Sequence, residues 1–170
     1  EPAFKDYKYA RDKNPMPSAL NLNVNDTMVH GPASQYTEAL KEGDIVGLDL
    51  GIKHGGLFTD SARSIIIGSP RSEAERQLVD AVYEALEVGI AQARIGNTTG
   101  DIGFAIQAIA EKYGYGYPKY LSGHGVGKTV HEEPHVPNYG DRGAGTKLTE
   151  GLVIAIEPMF SLGGGEVTVD

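Results

Sequence analysis

The secondary-structure signals run strands first, then two helices, then strands again, and this order predicts an α+β fold with helices covering one face of a mostly antiparallel, curved sheet. Apolar residues recur at helical spacing between residues 73 and 113, while the stretches on either side read as short apolar runs bounded by glycine. At 170 residues and 18.1 kDa, the chain has the size of one domain that can bury a core, so residues 1–170 are read as a single domain.

The elements follow in order. Residues 1–22 lack periodicity and carry Pro2, Pro15 and Pro17, which predicts an extended entry segment. Ile45 to Ile52 and Leu57 to Ile67 form a β-hairpin about the turn Lys53-His54-Gly55-Gly56, ended by Gly68-Ser69-Pro70. Ser72-Glu73-Ala74-Glu75 is a capping box, after which Leu78, Val79, Val82, Leu86, Ile90 and Ala93 mark a long amphipathic helix. Thr98 or Thr99 caps a second helix with its stripe on Ile102, Ala105, Ile106, Ile109 and Tyr113, and Gly114 stops it. Strands return at Tyr117 to Leu121 and Leu152 to Ile156. Residues 42–49 and 150–157 align without a gap, each an acidic-glycine turn, an apolar strand and a final carboxylate, Asp49 or Glu157. The echo suggests a duplicated architecture with a pseudo-twofold repeat.

Composition excludes several classes of function. There is no cysteine, so disulfides, thiolate metal sites and cysteine nucleophiles are absent, and a metal would have to sit on oxygen and imidazole. Fifteen basic against 23 acidic residues give a formal charge of −8 with no basic cluster, which disfavours nucleic acid as a partner. No apolar run is long enough for a bilayer span and no signal peptide opens the chain, so a cytoplasmic protein without a membrane partner is expected.

Centring the hairpin between His54 and Gly55 sets Asp49 opposite Asp60, on the face that also carries Gly47 and Gly51. Facing carboxylates repel unless a proton or cation lies between them, and the two glycines leave room for a ligand. The alternatives are a hydrated face or a slipped register. His124 sits in Ser122-Gly123-His124-Gly125-Val126-Gly127, where glycines keep Cβ atoms away from whatever the imidazole meets. A dinucleotide-binding loop is the competitor, but the required strand and helix do not flank it, and an isolated histidine also fits an ordinary surface or core role. His131 opens the run Glu132, Glu133, Pro134, His135, which a solvated turn could equally hold. Glu157 follows the apolar run Val153-Ile154-Ala155-Ile156, where a buried carboxylate needs a partner or a metal. Two aspartates, a histidine or two and a glutamate without cysteine fit a divalent ion such as Mn, Fe(II), Co or Zn. Two such ions about 3.5–4 Å apart could clamp a scissile carbonyl between them.

Taken together, these strings resemble type I methionine aminopeptidases, which have the pita-bread fold. The matching segments are Asn23-Val24-Asn25-Asp26 through Val29-His30-Gly31, Gly43-Asp44-Ile45-Val46 through Asp49, Thr59-Asp60, the specific stretch from Ser122 to Gly140, and Ile156-Glu157-Pro158-Met159. The resemblance implies that Asp49, Asp60, His124 and Glu157 ligate two divalent metal ions. It implies that His30 and His131 act beside Glu157 in catalysis, touching the substrate near the scissile bond, and that Tyr7 and Met16 line the methionine pocket. The activity it implies is removal of the initiator methionine from nascent peptides by a metal-bound hydroxide, by a monomer that meets its substrates at the ribosome. The family's closing Glu-His-Thr string does not occur before Asp170, nor does its amino-terminal helical portion. The expectation is therefore that the chain is part of a longer enzyme. Two rivals remain: a non-catalytic pita-bread domain that binds proteins or peptides, and a prolidase-like peptidase. The Glu132-Glu133-Pro134 run disfavours the second.

Overall fold

The computed structural model describes residues 1–8 and 14–168. The chain divides into two compact units, Glu1–Glu73 with Val126–Val130, and Ala74–Gly125 with His131–Asp170.

The first unit is built on an antiparallel sheet of β1 (Leu20–Val24), β2 (Ile45–His54) and β3 (Leu57–Ile66), in that order. β1 lies in the stretch partly read as an extended entry segment. The signal for it was the alternation Leu20-Asn21-Leu22-Asn23-Val24-Asn25, which repeats with the period of a strand. Residues 1–3 continue the same edge of β2: the Ala3 N–H donates to Gly51 O at 2.9 Å and the Lys53 N–H to Glu1 O at 2.8 Å. Ala3, Phe4 and Val130 form a small buried cluster, with Tyr7, Met16 and Phe58 packed on it.

The hairpin is present, but its register differs from expectation. β2 and β3 pair about the centre between Gly55 and Gly56, so Asp49 opposes Ala62, and Gly51 opposes Asp60. A two-residue hairpin turn of the favoured hand needs positive φ at both central residues. Gly55 and Gly56 supply it with φ +57° and +82°, whereas a turn centred on His54-Gly55 would strain His54. The slip is two residues, and side chains alternate with period two, so Asp49 and Asp60 keep a common face as diagonal neighbours. The room expected beside Gly47 and Gly51 is taken. Asn23 lies over Gly47, and a Cβ at Gly51 would come within 2.8 Å of the Phe4 ring and 2.9 Å of Ala3 Cβ.

The second unit holds both helices, α1 (Glu73–Gln92) and α2 (Thr99–Tyr113). α1 turns Ala81, Ala85 and Gly89 inward at four-residue spacing, and the absent side chain of Gly89 admits Ile106 of α2 and Ile156. Ile102, Ile106, Ile109 and Ala110 complete this core with Val136, Leu148 and Phe160. Glu84 of α1 accepts from Lys112 Nζ at 2.7 Å and from the Tyr113 hydroxyl at 2.8 Å, fastening the C-terminal end of α2 to the middle of α1.

The second sheet has the order β5 (Glu132–Pro137), β4 (Ser122–Gly125), β6 (Ile154–Ala155), all antiparallel, and α2 packs on β5. Three expectations change here. The run after His131, which a solvated turn could equally have held, is a strand whose alternate members Pro134 and Val136 are buried. Tyr117 to Leu121 is not a strand, consistent with Pro118 lacking the N–H that a ladder needs. The strand expected over Leu152 to Ile156 pairs only at Ile154 and Ala155, and Glu157 lies two residues past it.

Thr98 is the cap of α2, one of the two residues expected there. Its hydroxyl accepts from the Asp101 N–H at 3.3 Å while its own N–H donates to Asp101 Oδ2 at 2.9 Å. These bonds from Thr98, with smaller help from the Gly143 N–H and Arg142, hold the Asp101 carboxyl below the usual aspartate range. The Asn25 amide, then the Lys41 N–H, do the same for Asp44. A carboxyl whose pKa is depressed by folding contributes stability that is present above the unfolded value of about 4 and is lost as pH falls toward the folded value. The urea midpoint is accordingly expected to hold from neutrality to about pH 4 and to drop below it. Thr98→Ala is expected to cost about 1 kcal/mol at neutral pH in the same measurement and to flatten that acid loss.

Candidate metal and peptide site

Glycine sets the position of His124 on β4. A Cβ at Gly123 would meet the Ala155 carbonyl oxygen, and one at Gly125 would meet that of Glu133. The two flanking strands therefore close on β4 to a distance only glycine permits. The register also shifts between His124 and Gly125, a bulge of the kind that re-aims a side chain. The imidazole that results is nearly buried, with 12% of its side chain exposed.

His124 Nδ1 lies 2.8 Å from Gly125 O. A carbonyl only accepts, so Nδ1 carries the proton and Nε2 of the neutral ring presents a lone pair. Glu157 Oε1 stands 3.1 Å from that Nε2. Two acceptors at that distance hold together only with a positive centre to share, which is either a proton that makes the ring an imidazolium or a cation. An imidazole whose Nδ1–H is anchored on a backbone carbonyl and whose Nε2 faces a carboxylate is the donor arrangement that divalent ions of borderline hardness take. The donor set thus fits a metal. The His131 ring packs beside it, with ring centroids 4.3 Å apart at 52°. The second unit therefore brings three of the expected residues, His124, His131 and Glu157, into one group. Glu157 is not the desolvated strand end that was expected: its side chain is 30% exposed. Its main chain is tied down, with the Asn138 amide donating to Glu157 O at 2.7 Å.

The other expected residues lie in the first unit. Asp49 Oδ2 accepts from Asn21 Nδ2 at 3.0 Å. Asp60 shares the face of Asp49 across the hairpin, beside Gly51. His30 is exposed, with φ +59°, a left-handed conformation that a non-glycine residue adopts only when its surroundings enforce it. Those surroundings are the adjoining bonds: the Gly31 N–H donates to Asn23 Oδ1 at 2.9 Å and the Leu22 N–H to Gly31 O at 2.7 Å. Tyr7 and Met16 are joined, the Met16 N–H donating to Tyr7 O at 2.8 Å, and both pack on Phe4 and its neighbours. Sequence reasoning passed over Asn21, Asn23 and Asn138. For the first two the available signal was asparagine alternating with apolar residues along β1.

With the geometry in place, comparison with known proteins assigns the chain. The model of metallopeptidase family M24 matches residues 3–169, and the chain belongs to that family. Among its relatives, a methionine aminopeptidase from Aquifex aeolicus is 42% identical over 172 residues, covering 100% of this chain and 66% of its own length. One from Clostridium acetobutylicum is 40% identical over 162 residues, covering 95% of this chain and 62% of its own. The crystal structure of methionine aminopeptidase from Thermotoga maritima matches with a TM-score of 0.89 at 38% identity, over 100% of this chain and 65% of that one. The prolidase from Pyrococcus horikoshii matches with a TM-score of 0.70 at 32% identity, over 82% of this chain and 39% of that one. These likenesses establish the α+β pita-bread fold. The chain spans less than two thirds of the length of the curated relatives it matches. Among the described residues, no helix is long and apolar enough to cross a membrane.

Asn138 is wholly buried, and its Oδ1 has no hydrogen-bond partner among the described residues. Its single amide bond to Glu157 O is then its main contribution to the fold. Asn138→Ala is expected to lower stability by about 1–3 kcal/mol, the cost of stranding a buried acceptor, as read by urea unfolding.

Proposed function

We propose that the chain carries out metal-dependent removal of the amino-terminal methionine from peptides, with residues 1–170 acting as one catalytic domain. The observation that supports the reading best is the His124–Glu157 pair: Nδ1 is committed to Gly125 O, and Nε2 is turned to the Glu157 carboxylate 3.1 Å away. The family supplies the class of chemistry, and relatives named methionine aminopeptidase supply the substrate class.

The residues that would hold the divalent ions are Asp49, Asp60, His124 and Glu157. Bound there, the ions would supply Lewis acidity toward the scissile carbonyl and toward water. Two ions are proposed, of Mn, Fe(II), Co or Zn. His131, whose ring lies against His124, would donate a hydrogen bond to a substrate carbonyl. His30 would assist the leaving nitrogen. Tyr7 and Met16, joined and partly buried, offer an apolar surface suited to a methionine side chain. Nascent chains at the ribosome, a cytoplasmic location and a monomeric state belong to the same reading.

The test is hydrolysis of Met-Ala and Xaa-Pro peptides by the purified protein, with chelator and after return of Mn, Co or Fe(II). Methionine release from Met-Ala peptides is expected, abolished by chelator and restored by metal. Preference for Xaa-Pro would favour the prolidase-like reading, and no turnover with any metal would leave a binding domain. His124→Asn and Glu157→Gln are each expected to reduce kcat/KM by about 100-fold or more, since the loss of even an outer partner of a metal ligand costs about 10–100-fold.

A further inference from the structure

β1 carries asparagines at alternate positions, Asn21, Asn23 and Asn25, between Leu20, Leu22 and Val24. Two of them serve the backbone. Asn25 Oδ1 accepts from the Ile45 N–H at 3.1 Å and from Arg71 Nη2 at 2.9 Å, while its Nδ2 donates to Asp44. Asn23 Oδ1 accepts from the Gly31 N–H. Asn21 differs from both at its oxygen, which accepts from no backbone N–H among the described residues, while its amide donates to the carboxylate of Asp49, the residue directly opposite it in the sheet.

Asn21 is 3% exposed, and its Oδ1 is buried with no hydrogen-bond partner among the described residues. A stranded acceptor of this kind destabilises the fold, a cost set against the bond that the same amide makes to the charged Asp49. What asparagine supplies here, and a leucine of the same shape would not, is the bond to Asp49. The strand pairing fixes the reach of the amide, so one carboxylate oxygen is pinned and the plane of the carboxylate is set. The donor is also neutral. A lysine or arginine in its place would pin the same oxygen but cancel the negative charge that a cation needs. We propose that Asn21 is a positioning residue for Asp49, holding its carboxylate in the orientation that receives a divalent ion. This rests on the reading of Asp49 as a metal ligand.

The experiment is Co(II) titration of the protein, followed by visible absorption and by competition with a chelator, for the parent, Asn21→Leu, Asn21→Ser and Asp49→Asn. Leucine keeps the shape of asparagine without its donor, and serine is too short to reach Asp49. Both are expected to bind Co(II) about 10–100-fold more weakly with an altered visible spectrum, while metal-free Asn21→Leu stays cooperatively folded, its urea midpoint lowered by no more than one lost hydrogen bond. A purely structural role predicts a lowered midpoint with unchanged affinity and spectrum. Affinities within twofold of the parent, with the parent's spectrum, would overturn the proposal while leaving Asp49 as a ligand. If Asn21→Leu fails to fold, Asn21→Ser decides between the same two results. Absence of Co(II) binding by the parent, or full affinity in Asp49→Asn, would overturn the metal reading itself and this proposal with it.

Discussion

An imidazole can offer its second nitrogen to a neighbour only if the first is already committed, and that commitment at His124 underlies the chemistry read from this chain. The Gly125 carbonyl takes the Nδ1 proton, so Nε2 is the atom turned to Glu157. Everything local to β4 serves that geometry. Glycines on either side let two strands approach the histidine's backbone, and a bulge turns the ring. A buried asparagine anchors the main chain of the glutamate. A proton alone would satisfy the pair, but membership of a metallopeptidase family and a donor set free of thiolate give the arrangement its chemical meaning.

How much of this was legible in the sequence depends on the range of the interaction concerned. Helices declare themselves locally: α2 starts after Thr98 and ends at Gly114 as its cap and stop residues dictate. The hairpin was legible in existence and in parity, but not in register. Register is fixed by which two residues tolerate positive φ, and the Gly55-Gly56 pair outweighed the centre assumed between His54 and Gly55. The shared face of Asp49 and Asp60 survived because the shift was even. The open space inferred beside Gly47 and Gly51 did not, since a missing side chain shows only that something comes close. Here that something is Asn23 and the Phe4 segment of the same chain.

Strands with polar faces were the least legible. β1 keeps the alternation of a strand but buries its polar members Asn21 and Asn23, and β5 buries Pro134, the reverse of what an apolar inner face would announce. Their polar residues are inside because each meets a partner from a distant part of the sequence: Asp49 for Asn21, the Gly31 N–H for Asn23. No local pattern records such a partner. The positions where binary patterning misled are thus the ones that hold up the expected site residues Asp49 and His30, as expected where local preference yields to function.

The glycine pair at the hairpin tip carries a further consequence. Neither residue has an atom near the place where a side chain would begin, so the tip is unconstrained by packing, and only counting governs it. Adding or deleting two residues there would lengthen or shorten the ribbon and leave both aspartates looking the same way. A single insertion accommodated by re-pairing β3 would turn Asp60 to the opposite surface while Asp49 stayed put. Length variation at this loop is therefore tolerable in even steps, and an odd step is survivable only with a compensating bulge between the tip and Asp60.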